Sequence, residues 1–235
     1  MRRLRAFTLL ELLTVIAIIV LLVAVLLPAL TMARKVAYAA LCQSKLHHWN
    51  HIWFMFTEDN GGYFPDDIAW ISNLQPYYKD EELLCCPAKM KYDYSYGING
   101  FITNPPTIPI PEEEEEEDES ARYWRTPNVK GAAGVPMFLD CDYLVGWPKS
   151  DDKPPQWDDE SWVDNLSNNM LRFCRNRHNA AVNSAFLDFS VRKTGLKQLW
   201  TLKWHKNYDI NGPWTIAGGV TVDKWPAWMR RFRDY

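Results

Sequence analysis

Basic residues do not outnumber acidic ones in this sequence. Its 26 Lys and Arg stand against 29 Asp and Glu, and a formal net charge of -3 leaves no broad positive surface for nucleic acid. No C-x2-C pair recurs, which argues against a metal–cysteine centre built on short spacings. There is no G-x-S-x-G, and Cys174 has no supporting signature, so the sequence offers little for an acyl-transfer or hydrolytic nucleophile. A plain secretory signal also fits poorly. The apolar stretch near the amino terminus is too long for one, and only the weak Ala29-Leu30-Thr31-Met32-Ala33 follows it as a cleavage site.

What is present begins with Arg2, Arg3 and Arg5, followed by 21 residues from Phe7 to Leu27, long enough to cross a bilayer as a helix. From Leu12 to Leu27 there is one Thr and no charge. The positive-inside rule places the Arg cluster in the cytoplasm and the chain beyond Arg34 outside. The exception within this apolar text is Glu11, because a carboxylate in hydrocarbon is costly and rarely occurs without a partner.

Ala6-Phe7-Thr8-Leu9-Leu10-Glu11 followed by Leu-Leu-Thr-Val-Ile-Ala-Ile-Ile resembles the leader of type IV prepilins and type II secretion pseudopilins. The resemblance implies that a prepilin peptidase cuts between Ala6 and Phe7 and methylates the new amino terminus on Phe7. It also implies that Pro28 stands where pilins often carry a helix-kinking proline. Ala6 departs from the Gly usual before the cut. Cleavage would create an α-amino group at the membrane interface. Glu11 of a neighbouring subunit could pair with it, lowering the desolvation penalty of both charges. The domain plan expected on this basis is a cytoplasmic leader 1–6, a transmembrane helix 7–30, a periplasmic helical extension 31–60 and an exported domain 61–235. The expected fold is α+β: a long amino-terminal helix packed on a small antiparallel sheet.

Thr31 to Glu58 contains neither Pro nor Gly. Ala37, Leu41, Ser44, His48, Ile52 and Met55 recur at steps of three and four, with Trp49, Trp53 and Phe56 as an adjacent stripe, which predicts an amphipathic helix. Asn60-Gly61-Gly62 is its stop. Pro28 lacks the N–H that would bond to Ala24, which predicts a bend or local melting there. Further on, 92–102, 135–145 and 180–193 read as strands, the first as a strand or hairpin. In the last, Ala181, Asn183, Ala185, Leu187, Phe189 and Val191 are placed inward. Residues 105–120 form a Pro-rich and then Glu-rich insert, read as a solvated loop.

Export would put Cys42, Cys85, Cys86, Cys141 and Cys174 in an oxidising compartment. An odd count leaves at least one unpaired, and a bridge from Cys85 or Cys86 to Cys42 or Cys141 is an open possibility. His178 and Asp188 have nine residues between them, which resembles the H-x9-D-G segment of prepilin-type proteins, with Phe189 in place of the Gly. His178 is expected to bind backbone or a carboxylate near the start of the strand, with metal binding and general-base catalysis as the lesser readings. Asp140, Asp142 and Asp188 are weak candidates for a shared Ca2+ site. Twelve Trp suit either a core or a sugar-stacking surface. The expected function is a pilin-like or pseudopilin subunit of a type IV pilus or type II secretion system. Its partners would be prepilin peptidase, other subunits and the inner membrane. It would be no enzyme, with no cofactor required. The alternative is a membrane-anchored exported binding protein, with carbohydrate as its ligand.

Overall fold

The computed structural model describes residues 8–65, 69–88, 94–104 and 119–235. The expected cut between Ala6 and Phe7, and 105–118 of the acidic insert, lie outside the described residues. The chain divides into two compact units, one reaching Tyr38 and the other running from Ala39 to Tyr235.

The first unit is helical. Helix α1 (Leu9–Asp59) opens with Thr8 and Glu11 bonding reciprocally: Thr8 N–H and Oγ1 donate to Glu11 Oε2 at 2.9 and 2.8 Å, and Glu11 N–H donates to Thr8 Oγ1 at 3.2 Å. This is a capping box, which satisfies amide groups that the first turn leaves without helical partners. Beyond it the large apolar side chains from Leu12 to Leu30 are all exposed. Among the described residues this is the single helix long and apolar enough to span a membrane. The helix assignment runs through Pro28 without a break. Thr31 Oγ1 donates to Leu27 O at 2.9 Å in the turn after the proline.

The second unit is α+β. Its sheet has the order β3-β1-β2-β4-β5, from β1 (Tyr96–Asn99), β2 (Pro136–Asp140), β3 (Val145–Gly146), β4 (Ala181–Phe186) and β5 (Val191–Gly195). Four of the strands pair antiparallel, but β3 runs parallel to β1, so the sheet is mixed rather than wholly antiparallel. The cause is the segment after β2. It turns back over the end of β1 so closely that a Cβ on Gly97 would lie 2.2 Å from Tyr143 O, and it then lands on the far edge.

Residues 39–59 of α1 cover one face of this sheet. Cys42, Leu46, Trp49, Ile52 and Trp53 are buried there, while Leu41 and Met55 are exposed. The stripe that packs is therefore the one carrying the indoles. Each indole removes 150–250 Å2 from water, worth roughly 4–6 kcal/mol before entropy, more than the smaller residues of the neighbouring stripe can gain. Trp49 packs on Trp70, Tyr78 and Phe138 with ring centroids 5.2, 5.1 and 5.6 Å apart. The helix ends as expected: Gly61 and Gly62 take left-handed φ of 65° and 85°, and Gly62 N–H returns to Thr57 O at 2.7 Å.

Segment 180–193 is a hairpin, not one strand. The turn between β4 and β5 is made by Leu187, Asp188, Phe189 and Ser190, and Phe189 itself takes φ 63°, the conformation a glycine would favour. Asn183 and Ala185 face the helix, as expected. The opposite set is buried as well, because the carboxy-terminal segment lays Trp200, Trp204, Trp225 and Met229 against Val182 and Phe186. Most of the tryptophans are thus core residues; Trp157, at 59% exposure, is the one with a large exposed ring.

Candidate metal centre

The helix-covered side of the sheet encloses a polar cluster. Cys42 comes from the first buried turn of α1, and Cys86 from the loop before β1. Asp140 ends β2, and His178 lies in the loop leading into β4. Cys42, Cys86, Asp140 and His178 are all buried, and one ligand atom from each lies within 4.8 Å of all the others. Cys42 Sγ donates to Asp140 Oδ1 at 3.4 Å, His178 Nε2 lies 3.1 Å from Asp140 Oδ2, and Cys86 Sγ is 3.5 Å from His178 Nε2.

Local structure fixes each group. Lys45 Nζ donates to the carbonyls of Glu82 and Cys85 at 2.5 and 3.1 Å, and Trp49 Nε1 to Leu83 O at 2.9 Å, which ties the Cys86 segment to α1. Cys86 N–H donates to Ser95 Oγ. Asp140 Oδ2 accepts the Asn183 N–H at 2.7 Å across the β2–β4 register. Asn179 and Ala180 both take left-handed backbone, φ 56° and 60°, and this tight corner delivers His178 into the core. Two consecutive non-glycine residues in that region mark strain of the kind found at functional sites.

Two arginines surround the cluster. Arg177 donates to Ser95 O, to Cys141 O at 2.6 Å and to Asp142, and stands 3.5 Å from Asp140. Arg175 Nε pairs with Asp142 at 2.9 Å. Burial opposes the Arg177 charge, but Asp140 and Asp142 outweigh it and hold its pKa above the ordinary value. Burial likewise opposes the Asp140 charge, and the bonds from His178 and the field of Arg177 overcome it, keeping the carboxyl below the usual range. His178 follows the same pattern: burial pulls its pKa down, Asp140 and Cys86 push it up, and the result is about 9. The Cys86 thiol is lowered to about 7, chiefly by its interaction with Cys42 and further by His178, whereas burial and its acidic neighbours drive Cys42 upward.

This set is not a nucleophile triad. A Cys–His–Asp triad uses opposite ring nitrogens, one toward the nucleophile and one toward the carboxylate. Here Cys86 and Asp140 both meet Nε2, and Cys86 has no exposed surface. Two thiols, a carboxylate and an imidazole, all buried, form instead a donor set for a borderline-soft cation.

The residues singled out by sequence fall as follows. His178 enters the cluster, but its partner is Asp140. Asp188 sits in the hairpin turn, where Oδ1 accepts from Ser190 N–H and Oγ at 3.0 and 2.6 Å. Asp140 and Asp188 lie toward opposite ends of β2, since Pro136 pairs with Phe186 and Leu139 with Ser184. Asp142 is taken up by Arg175 and Arg177, so the three aspartates do not converge on one cation. No disulfide joins the five cysteines; Cys42 and Cys86 are in the cluster, whereas Cys85 and Cys141 are not. The short-spacing argument does not bear on this cluster, because its four donors come from positions 42, 86, 140 and 178, brought together by the fold. Arg175 and Arg177 carry no spacing signal at all. No protein-family model, no curated protein and no solved structure matches this chain.

Proposed function

We propose that this chain is a pilin-like subunit. A prepilin peptidase trims it between Ala6 and Phe7 and methylates Phe7. It then polymerises with other pilin or pseudopilin subunits into a type IV pilus or a type II secretion pseudopilus. Residues 7–30 hold it in the inner membrane beforehand, with the folded domain in the periplasm. The observation that carries this reading is the surface from Leu9 to Leu30. It is apolar, wholly exposed, and has one charge, Glu11, at its head. Such a surface requires lipid or other helices around it, and a filament of bundled helices supplies both in turn.

Glu11 also closes the capping box with Thr8, so its loss has a local effect that must be separated from assembly. Gln serves in a capping box as Glu does but carries no charge. Cross-linking in native membranes separates the two roles. Glu11→Gln keeps the helix start and abolishes oligomers if charge pairing with a neighbour's amine drives assembly. Oligomers retained in Glu11→Gln refute that part. The processing step is read by mass: the amino-terminal peptide begins at methylated Phe7, and an intact Met1 sinks the proposal. The carbohydrate-binding alternative has less support, because Trp157 alone among the twelve indoles presents a large exposed ring.

A further inference from the structure

We infer that Cys42, Cys86, Asp140 and His178 are the four ligands of a structural zinc ion. This goes beyond the filament reading and does not depend on it. Zinc takes thiolate, imidazole and carboxylate ligands in a tetrahedron, with bonds of roughly 2.3 Å to sulfur and 2.0–2.2 Å to nitrogen or oxygen. The edges of such a tetrahedron run from about 3.3 to 3.8 Å by the same bond lengths. Cys42 Sγ meets Asp140 Oδ1 at 3.4 Å, His178 Nε2 meets the other oxygen, Oδ2, at 3.1 Å, and Cys86 Sγ lies 3.5 Å from His178 Nε2. With one donor atom taken from each residue the four lie within 4.8 Å of one another, so drawing the widest separation in by about 1 Å brings them around one ion.

Charge supports the assignment. Asp140 and Asp142 are already matched by Arg175 and Arg177. A divalent ion that replaces the two thiol protons adds two positive charges as two leave, so the surrounding balance is preserved. Calcium is a poorer occupant, since it calls for six to eight oxygens and two of these donors are sulfur. With four protein donors and no exposed ligand, the site is closed, the arrangement of structural rather than catalytic zinc. The buried Tyr96 hydroxyl has no hydrogen-bond partner, and a thiolate at its neighbour Cys42 would give it an acceptor. The ion would clamp α1 to the sheet and to two loops at a single point.

The test uses full-length protein in detergent, purified under reducing conditions, with elemental analysis and titration by Zn2+ and Co2+. The expected result is one zinc per chain, and for cobalt the intense visible bands of a tetrahedral complex with thiolate charge transfer. Cys42→Ser, Cys86→Ser and His178→Ala should lose stoichiometric binding, while Cys174→Ser, outside the cluster, should retain it. Because the ligand variants can fail to fold, the cobalt spectrum of the unsubstituted protein decides independently. Wild-type protein that takes up neither metal, or an octahedral cobalt spectrum without thiolate bands, overturns the inference. So does a Cys42–Cys86 disulfide in the peptide map of protein isolated from membranes without reductant.

Discussion

Arg177→Met isolates the buried charges that frame the cluster. The guanidinium side chain is only 3% exposed and serves two carbonyls and two carboxylates. Its loss leaves Asp142 with Arg175 at 2.9 Å, and Asp140 with His178 at 3.1 Å and Asn183 N–H at 2.7 Å. It also strips a donor from two carbonyls; Ser95 O keeps the Cys141 N–H at 3.0 Å, whereas Cys141 O left buried and unpaired costs about 1–3 kcal/mol. These losses overlap with breaking a buried ion pair, which costs roughly 3–5 kcal/mol, so that range is the expected destabilisation. Asp142→Asn lowers the charge left behind, and the double variant should recover about 1–3 kcal/mol relative to the sum of the singles. Urea denaturation followed by tryptophan fluorescence measures this in chelator-treated full-length protein, where six fully buried indoles report the transition. A cost for Arg177→Met below about 0.5 kcal/mol, the range of ordinary surface substitutions, would refute the reasoning. So would a cycle with no coupling.

Three further outcomes follow from the same physics. Trp49→Ala should cost about 3–5 kcal/mol, since it empties a site packed by three rings, whereas exposed Trp157→Ala should stay within about 0.5 kcal/mol; equal denaturation midpoints would contradict the packing. Ala180→Gly should stabilise the protein by about 0.5–1 kcal/mol, as it relieves a left-handed alanine at φ 60° at the expense of some unfolded-state entropy; a lowered thermal midpoint would show that the corner is not strained. His205 is buried against Phe101, and burial with help from Arg122 and Lys203 lowers its pKa to about 4. A depressed base favours the neutral form in the fold, so its contribution is full above the unfolded value of about 6.5 and is lost as pH falls toward 4, on the order of 3 kcal/mol. His205→Gln should flatten that part of the profile, read as the difference between variant and wild-type midpoints from pH 7 to pH 4.

Features carried by local periodicity were legible before the structure. The long helix, its Asn60-Gly61-Gly62 stop and the inward placement of Asn183 and Ala185 all rest on spacings of two, three and four residues. Features decided by competition between equal patterns were less so. Two stripes on α1 were both apolar enough, and the choice went to the one with two indoles. The hairpin in 180–193 was hidden because its turn residue is Phe189 where a Gly would have announced it. The site was least legible, since it has no local pattern. The H-x9-D spacing grouped His178 with Asp188, but strand register set Asp140 beside the imidazole.

That register also explains why polar groups persist in so aromatic a core. Indole and phenyl contacts attract without strong direction, so by themselves they would tolerate α1 shifted by a turn along the sheet. The polar contacts would not. Asn183 donates to Ala39 O and accepts from Gln43 Nε2, both at 3.1 Å, while Cys42 donates to Asp140. A shift of one turn would bring Leu46 or Tyr38 toward the place of Cys42. The buried Asp140 carboxylate would lose a donor that neither replacement supplies in the same position, and Asn183 would lose both helix bonds. Leaving buried polar groups unpaired costs several kcal/mol, far more than the small differences between alternative apolar packings. The indoles therefore supply the strength of the helix–sheet contact, while Cys42, Asp140 and Asn183 select its register. A metal held by Cys42 and Asp140 would strengthen the same selection at the same point.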